Sequence, residues 1–272
     1  WSYGRTGKGS LMLKARIITA VIALVILGVV LFVVPASLAK VLIALVILLG
    51  AWEWSGFLGV QNQAGRYVFV AIVAALMAIV TFVLPQQSDL ALQVACVWWP
   101  VAFVWVLFFP TPIPAAVRWI CGVLVLLPVF VAMQMLFDRS PLFLLLSLMI
   151  VWAADVGGYF CGKMFGRVKL APSISPGKTW EGVVGGLAVV SILAVAWARF
   201  DDQQISVVLP FFLALAAISV VGDLTVSMFK RTAGVKDSGT LFPGHGGVLD
   251  RIDSLAAAAP LFALGLVWLG LV

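Results

Sequence analysis

The stretch Val21–Val34 is apolar at every position, so it has no polar face to offer water as either a helix or a strand. It is the first clearly marked example of a pattern that recurs down the chain. Nine apolar segments can be marked, at about 16–35, 37–57, 66–85, 91–109, 115–136, 141–161, 179–199, 205–227 and 254–272. Each is close to the ~20 residues a helix needs to cross a bilayer. Pro35, Pro85, Pro110, Pro112 and Pro141 fall at segment ends, where helices break. A transmembrane β-barrel would alternate apolar and polar residues along each strand, and these runs do not alternate. The expected fold is therefore all-α: a polytopic integral membrane protein with about nine transmembrane helices.

Composition excludes the remaining classes. Charged residues make up 10% of the 272 positions and hydrophobic ones 64%, against about 25% charged in an average soluble domain. Nine spans consume roughly 180 residues, which leaves no room for a sizeable soluble domain. Residues 12–272 are thus expected to form a single membrane domain. Residues 1–11 start with Trp1 and are polar and rich in Gly and Ser, whereas Met12-Leu13-Lys14 reads as a natural start. We expect 1–11 to be an appended remnant. Cys96, Cys121 and Cys161 lie in or beside apolar stretches without a CxxC pair, and read as small buried hydrophobes.

The net charge of +6 has two readings in a membrane chain, topogenic and ligand-binding; neither involves nucleic acid. With the N-terminus inside and nine spans, 14 of the 17 Lys and Arg fall on inside segments and their flanks. The outside segments hold only Lys40, Arg139 and Arg199. This asymmetry places the N-terminus and the loops near 162–178 and 228–253 in the cytoplasm of a cytoplasmic-membrane protein. Those two loops carry eight of the basic residues.

The chemistry concentrates in 155–182 and 222–254. The second stretch holds Asp223, Lys230, Arg231, Lys236, Asp237, Pro243-Gly244-His245-Gly246-Gly247, Asp250, Arg251 and Asp253. Carboxylates suit Mg²⁺, which commonly takes one or two of them plus substrate phosphates. Lys and Arg suit the phosphates, and the glycines allow close backbone approach. Asp223, Asp250 and Asp253 are the candidate metal ligands. Asp223, Lys230, Arg231, Lys236, His245, Asp250 and Arg251 are the candidate catalytic residues. Asp253 serves equally as a cap of the last helix, and His245, the single histidine, as a phosphate donor, an acid–base or simple loop polarity.

In the first stretch, Asp155 and Tyr159 are four apart on the sixth span, and Gly158, Gly162 and Gly166 form a small-residue seam for a neighbouring helix. Ser175-Pro176-Gly177-Lys178-Thr179 reads as a turn opening the seventh helix. It offers hydroxyls, an amine and helix N-terminal N–H groups to an anion, with N-capping as a compatible role. Ser175, Lys178 and Thr179 are the candidate nucleotide-binding residues. Glu53, between Trp52 and Trp54, is either an intramembrane carboxylate or an interfacial one.

Ser227, Lys230-Arg231, Lys236-Asp237, Pro243, His245-Gly246-Gly247 and Asp250-Arg251-x-Asp253 together resemble the signature of the phosphatidate cytidylyltransferase family, also called CDP-diacylglycerol synthases. Ser175-Pro176-x-Lys178-Thr179-x-Glu181-Gly182 resembles that family's second characteristic stretch. The resemblance covers about the C-terminal 120 residues; the N-terminal half resembles the family in hydropathy alone. It implies that CTP and phosphatidic acid react to CDP-diacylglycerol and pyrophosphate with Mg²⁺, leaves room for a second, monovalent ion, and suggests a homodimer in the lipid bilayer. Alternatives are a CTP-dependent lipid kinase acting on a polyprenol-type alcohol, and an anion transporter. The absence of a convincing internal repeat weighs against the transporter.

Overall fold

The computed structural model describes residues 21–60, 62–241 and 246–271. The expected remnant at 1–11 and His245 lie outside the described residues. Nine helices follow one another among these residues. The first, α1, is described over Val21–Phe32. Then come α2 (Ala36–Trp54), α3 (Gln63–Ala78), α4 (Ser88–Phe108), α5 (Ala115–Arg139), α6 (Pro141–Phe165), α7 (Trp180–Phe200), α8 (Ile205–Thr232) and α9 (Leu249–Trp268). Eight of them, α2 to α9, are long and apolar enough to cross a membrane. The one departure from all-helical structure is a small antiparallel hairpin between α6 and α7, β1 (Lys169–Ala171) with β2 (Ser175–Thr179). The stretch expected to be a turn is therefore largely a strand, and only Thr179 occupies the helix cap.

Local signals explain where the helices begin and end. Ser140 accepts a hydrogen bond from the Leu142 amide (3.2 Å) and Pro141 sits at the first helical position of α6. Thr179 Oγ1 accepts from the Gly182 amide (3.1 Å) and caps α7. At the end of α8, Gly234 adopts φ 73°. Its amide donates to the Arg231 carbonyl, and the Val235 amide to that of Lys230, both at 3.0 Å. This is a Schellman closure, and it needs a residue that tolerates the left-handed region.

Two boundaries differ from hydropathy in a way that matters. The eighth helix runs to Thr232 rather than 227, and the ninth starts at Leu249 rather than 254. Lys230 and Arg231 thus occupy a helical C-terminus, and Asp250, Arg251 and Asp253 a helical N-terminus. The cations at the first end and the acids at the second each suit the helix dipole. Apolar periodicity clips such ends because they are polar.

At the centre of the bundle lies α9. Ile252 through Pro260 are all buried, and Ala256–Ala259 let neighbouring helices approach closely. Around it pack α4, α5, α6, α8 and α2. The expected glycine seam joins α6 to α7. An added Cβ at Gly182 would lie 2.8 Å from the carbonyl of the expected Gly158, and closer contacts come from residues outside the expected set, Gly157 with Gly185 and Gly186 with Ala154, both at 2.6 Å. Val97, Phe82, Phe108, Val184, Ile192 and Phe200 project outward as a surface suited to lipid. Trp180 and Trp268 are exposed at helix ends, as interface anchors should be, whereas Trp98 and Trp99 turn into the core. Cys121 is buried and the three thiols are unpaired.

Contacts between residues far apart in sequence gather the chemistry at one end. There α2 ends, α3 and α5 begin, α6 and α8 end, and α7 and α9 begin. Trp54 donates to the Arg118 carbonyl (3.0 Å), Arg118 to the Phe57 carbonyl (3.1 Å), and Arg66 to Ser55 Oγ (2.9 Å). At the opposite end Lys40 pairs with Asp138.

Candidate active site

Positions 223, 227 and 230 recur at helical spacing, so α8 presents Asp223, Ser227 and Lys230 on one face. Ser227 donates to Asp223 Oδ1 (3.0 Å). Gly222 brings α9 against this face: a Cβ there would lie 2.5 Å from the Asp253 carbonyl. Asp223 and Asp253 thereby become electrostatic neighbours, with Lys230 close to both. Asp223 lies nine residues before the end of α8, about 13 Å along the helix. At that depth a carboxylate requires partners.

The first partner comes from the hairpin. Lys178 on β2 forms an ion pair with Asp223 Oδ2 at 2.5 Å. Burial alone would lower the Lys178 ammonium. The Asp223 charge and hydrogen bond, helped by Asp155 and Asp253, outweigh it and push the ammonium above its ordinary range. Lys178 thus stays cationic at neutral pH. The hairpin that delivers it is tied to the bundle by Arg231, whose Nε donates to the Ile174 carbonyl (3.0 Å) and Nη1 to the Val235 carbonyl (3.2 Å). Arg231, expected at a phosphate, spends one donor holding the hairpin against α8 and another on the segment that follows α8.

The second pair is Lys230 with Asp250, at 2.7 Å, with each side chain only 8% exposed. The other Asp250 oxygen accepts from the Ser238 and Gly247 amides at 2.9 and 3.0 Å. Gly246, at φ 79°, makes this possible, because a Cβ there would lie 2.5 Å from Asp250 Oδ2. Asp155 on α6 completes the group. It feels the charges of Lys178, Asp223 and Arg251.

A cavity of about 420 Å³ opens beside Lys178 and Asp155. It is lined by Tyr159, Lys163, Ser175 and Thr179 and by apolar Val183, Leu187 and Val220. Its lining combines charged and hydroxyl groups with aliphatic side chains, which suits a molecule that has both a phosphate head and a hydrocarbon body.

Most of the sequence-derived candidates converge here. Asp223, Lys178, Lys230, Asp250, Asp253 and Arg251 belong to one cluster, and Ser175 lines the adjoining cavity. Thr179 lines it too, but its hydroxyl is engaged as the α7 cap. Lys236 lies exposed in the segment after α8, with Asp237. Asp253 is not the cap of the last helix, since α9 starts four residues earlier. The three acids expected to share a metal do not form one ligand set: among the described residues, no three Asp, Glu, His or Cys side chains are grouped to hold an ion. Asp250 is engaged by Lys230 and two loop amides, and Asp223 by Lys178 and the Ser227 hydroxyl. Asp253 still feels the charge of Asp223 across the contact between α8 and α9. Two carboxylates fit a Mg²⁺ ion whose remaining ligands are water and substrate phosphate.

Glu53 is a neighbour of this cluster that the sequence only half disclosed. It reaches the start of α9, nearly 200 residues away. The signal was present, since a carboxylate in an apolar span must be offset by donors, but nothing in the linear pattern names the donors.

A polytopic membrane bundle with paired lysines and aspartates beside an amphipathic cavity defines a membrane enzyme that handles phosphates at the bilayer edge. The chain belongs to the cytidylyltransferase family, whose sequence profile matches residues 14–269. It is 44% identical over 267 residues to the phosphatidate cytidylyltransferase of Pseudomonas aeruginosa, covering 94% of this chain and 97% of that one. The Haemophilus influenzae phosphatidate cytidylyltransferase is 37% identical over 284 residues, covering 93% and 98%. The Staphylococcus aureus (strain COL) protein of the same name is 46% identical over 127 residues, 46% of this chain and 49% of that one.

Proposed function

We propose that the protein transfers the cytidylyl group of CTP to phosphatidic acid, giving CDP-diacylglycerol and pyrophosphate. The observation that carries this reading is the meeting of Lys178–Asp223 and Lys230–Asp250, drawn from two distant motifs, with Lys178 also lining a cavity of mixed polar and aliphatic walls. Membership of the cytidylyltransferase family supports it.

A phosphatidate oxygen attacks the α-phosphorus of CTP. The new P–O bond forms as the bond to the β-phosphate bridging oxygen breaks, and pyrophosphate leaves with that electron pair. The lipid supplies the nucleophile, so no covalent enzyme intermediate is needed. The obstacle is repulsion between two anions, and fixed cations in a site of low polarity lower it most effectively. Lys178 and Lys230 supply those charges, each held in place by its aspartate. Arg251 and Lys236 add charge at the exposed rim, and Ser175 offers a hydroxyl beside Lys178. Asp223 and Asp253 would hold Mg²⁺, which supplies charge neutralisation on the phosphates.

The positive-inside asymmetry supports a cytoplasmic N-terminus and an active end facing the cytoplasm of the inner membrane, where CTP is available. The assay is direct: purified protein, phosphatidic acid in detergent micelles and CTP, with and without a chelator. The expected outcome is a CTP-dependent lipid nucleotide and pyrophosphate with Mg²⁺, and neither after chelation. No lipid product in the presence of Mg²⁺ would refute the reading.

A further inference from the structure

We propose that Glu53 on α2 is a positioning residue of the transferase: it clamps both ends of the glycine-rich loop between α8 and α9 and so sets the catalytic start of α9 against Asp223. This rests on the cytidylyl-transfer reading.

Glu53 is 8% exposed and accepts three hydrogen bonds. The Val248 amide donates to Oε1 at 2.9 Å, the Leu249 amide to Oε2 at 2.7 Å, and the Ser238 hydroxyl to Oε2 at 2.8 Å. Val248 precedes the first residue of α9, and no side chain of that helix's own caps it. Helix N-termini leave unsatisfied N–H groups, and a carboxylate there is favoured by the dipole as well as by hydrogen bonding. The α9 cap is thus supplied from another helix, α2.

This cap bears directly on the catalytic residues. Asp250, Arg251 and Asp253 occupy the first turn and a half of α9, so whatever fixes Val248 and Leu249 fixes their height and rotation. Ser238 ties the opposite end of the loop to the same carboxylate, and its own amide goes to Asp250. Glu53 and Asp250 therefore hold Ser238 beside Gly247 from two sides. The two glycines nearest the clamp leave room for it. A Cβ at either Gly239 or Gly247 would overlap the Glu53 carboxylate. Neither glycine has a positive φ, so close approach rather than backbone conformation explains its small size.

Glu53→Gln preserves shape but turns an acceptor into a donor facing other donors. Gly247→Ala retains the carboxylate and displaces it. Both variants are expected to lower kcat by roughly 10- to 100-fold per folded enzyme, the range for residues that orient the groups touching the reacting atoms, with KM for CTP within about threefold. Hydrogen–deuterium exchange should rise in peptides spanning 236–241 and 246–252 and stay unchanged in α6 and α7. Unchanged kcat, or unchanged exchange in those peptides, would overturn the proposal. Failure of both variants to yield folded protein would overturn it too, since Glu53 would then serve the whole fold. If the unaltered protein makes no lipid product, the transfer reading falls, and the exchange measurement alone decides whether Glu53 clamps the loop.

Discussion

Asp223→Asn is expected to lower kcat by about 10²–10³-fold while leaving the protein folded. The substitution keeps the side-chain shape and an oxygen for the Ser227 hydroxyl. It removes the charge that holds Lys178 at 2.5 Å and keeps that ammonium protonated. It also removes one of the two carboxylates proposed to hold Mg²⁺. Losing about 3–4 kcal/mol of transition-state stabilisation, the scale of a single electrostatic contact in such a site, corresponds to that rate change at about 1.4 kcal/mol per tenfold. Steady-state rates at saturating CTP and phosphatidic acid, normalised to folded protein, provide the check. Near-normal turnover would remove Asp223 from the reacting centre.

The second large effect is on stability. Lys230→Met should destabilise the protein by about 3–5 kcal/mol, because it strands the Asp250 charge in a site where both partners are 8% exposed. The two loop amides that remain on Asp250 cannot neutralise it. Adding Asp250→Asn removes the stranded charge while an amide oxygen can still accept from Ser238 or Gly247. The double variant is therefore expected to be more stable than Lys230→Met alone, a non-additivity that unfolding in detergent can measure. Strictly additive losses would mean that the two side chains do not act as a pair.

Much of this structure was legible in one dimension because bilayers impose a simple rule. Apolar runs of about 20 residues must be helices, and the runs from 37–57 onward match α2 to α9 to within a few residues at most ends. The glycine seam of α6 was legible for a similar reason: small residues at four-residue spacing make a contact surface on any helix. The polar ends were less legible. Hydropathy stopped α8 before Lys230 and started α9 after Asp253, although charge–dipole complementarity favours helix at both places. The hairpin was missed because five residues such as Ser175–Thr179 carry no strand periodicity, and their pairing with Lys169–Ala171 is a tertiary fact.

The same distinction holds within the site. Asp223 could be singled out because an ionised group deep in an apolar span demands an explanation. That its partner is Lys178, 45 residues earlier, depends on how α7 and the hairpin pack on α8. Residue type suggested a phosphate role for Arg231, and the structure shows two of its donors on backbone carbonyls. Type also made Asp250 a metal candidate, whereas its neighbours make it the base of a loop. Glu53 belongs to the same class, since its donors lie at positions 238, 248 and 249. Chemistry-bearing residues were found by type, and their division of labour only by geometry.

The most direct test of cytidylyl transfer tracks the two ends of the nucleotide separately. Purified protein with phosphatidic acid and Mg²⁺ is supplied in parallel with CTP labelled at the α-phosphate and CTP labelled at the γ-phosphate. Transfer at the α-phosphorus predicts that α-label enters the lipid fraction and γ-label appears only in pyrophosphate. Label from the γ-phosphate in the lipid, with none from the α-phosphate, would contradict it and identify a CTP-dependent lipid kinase instead.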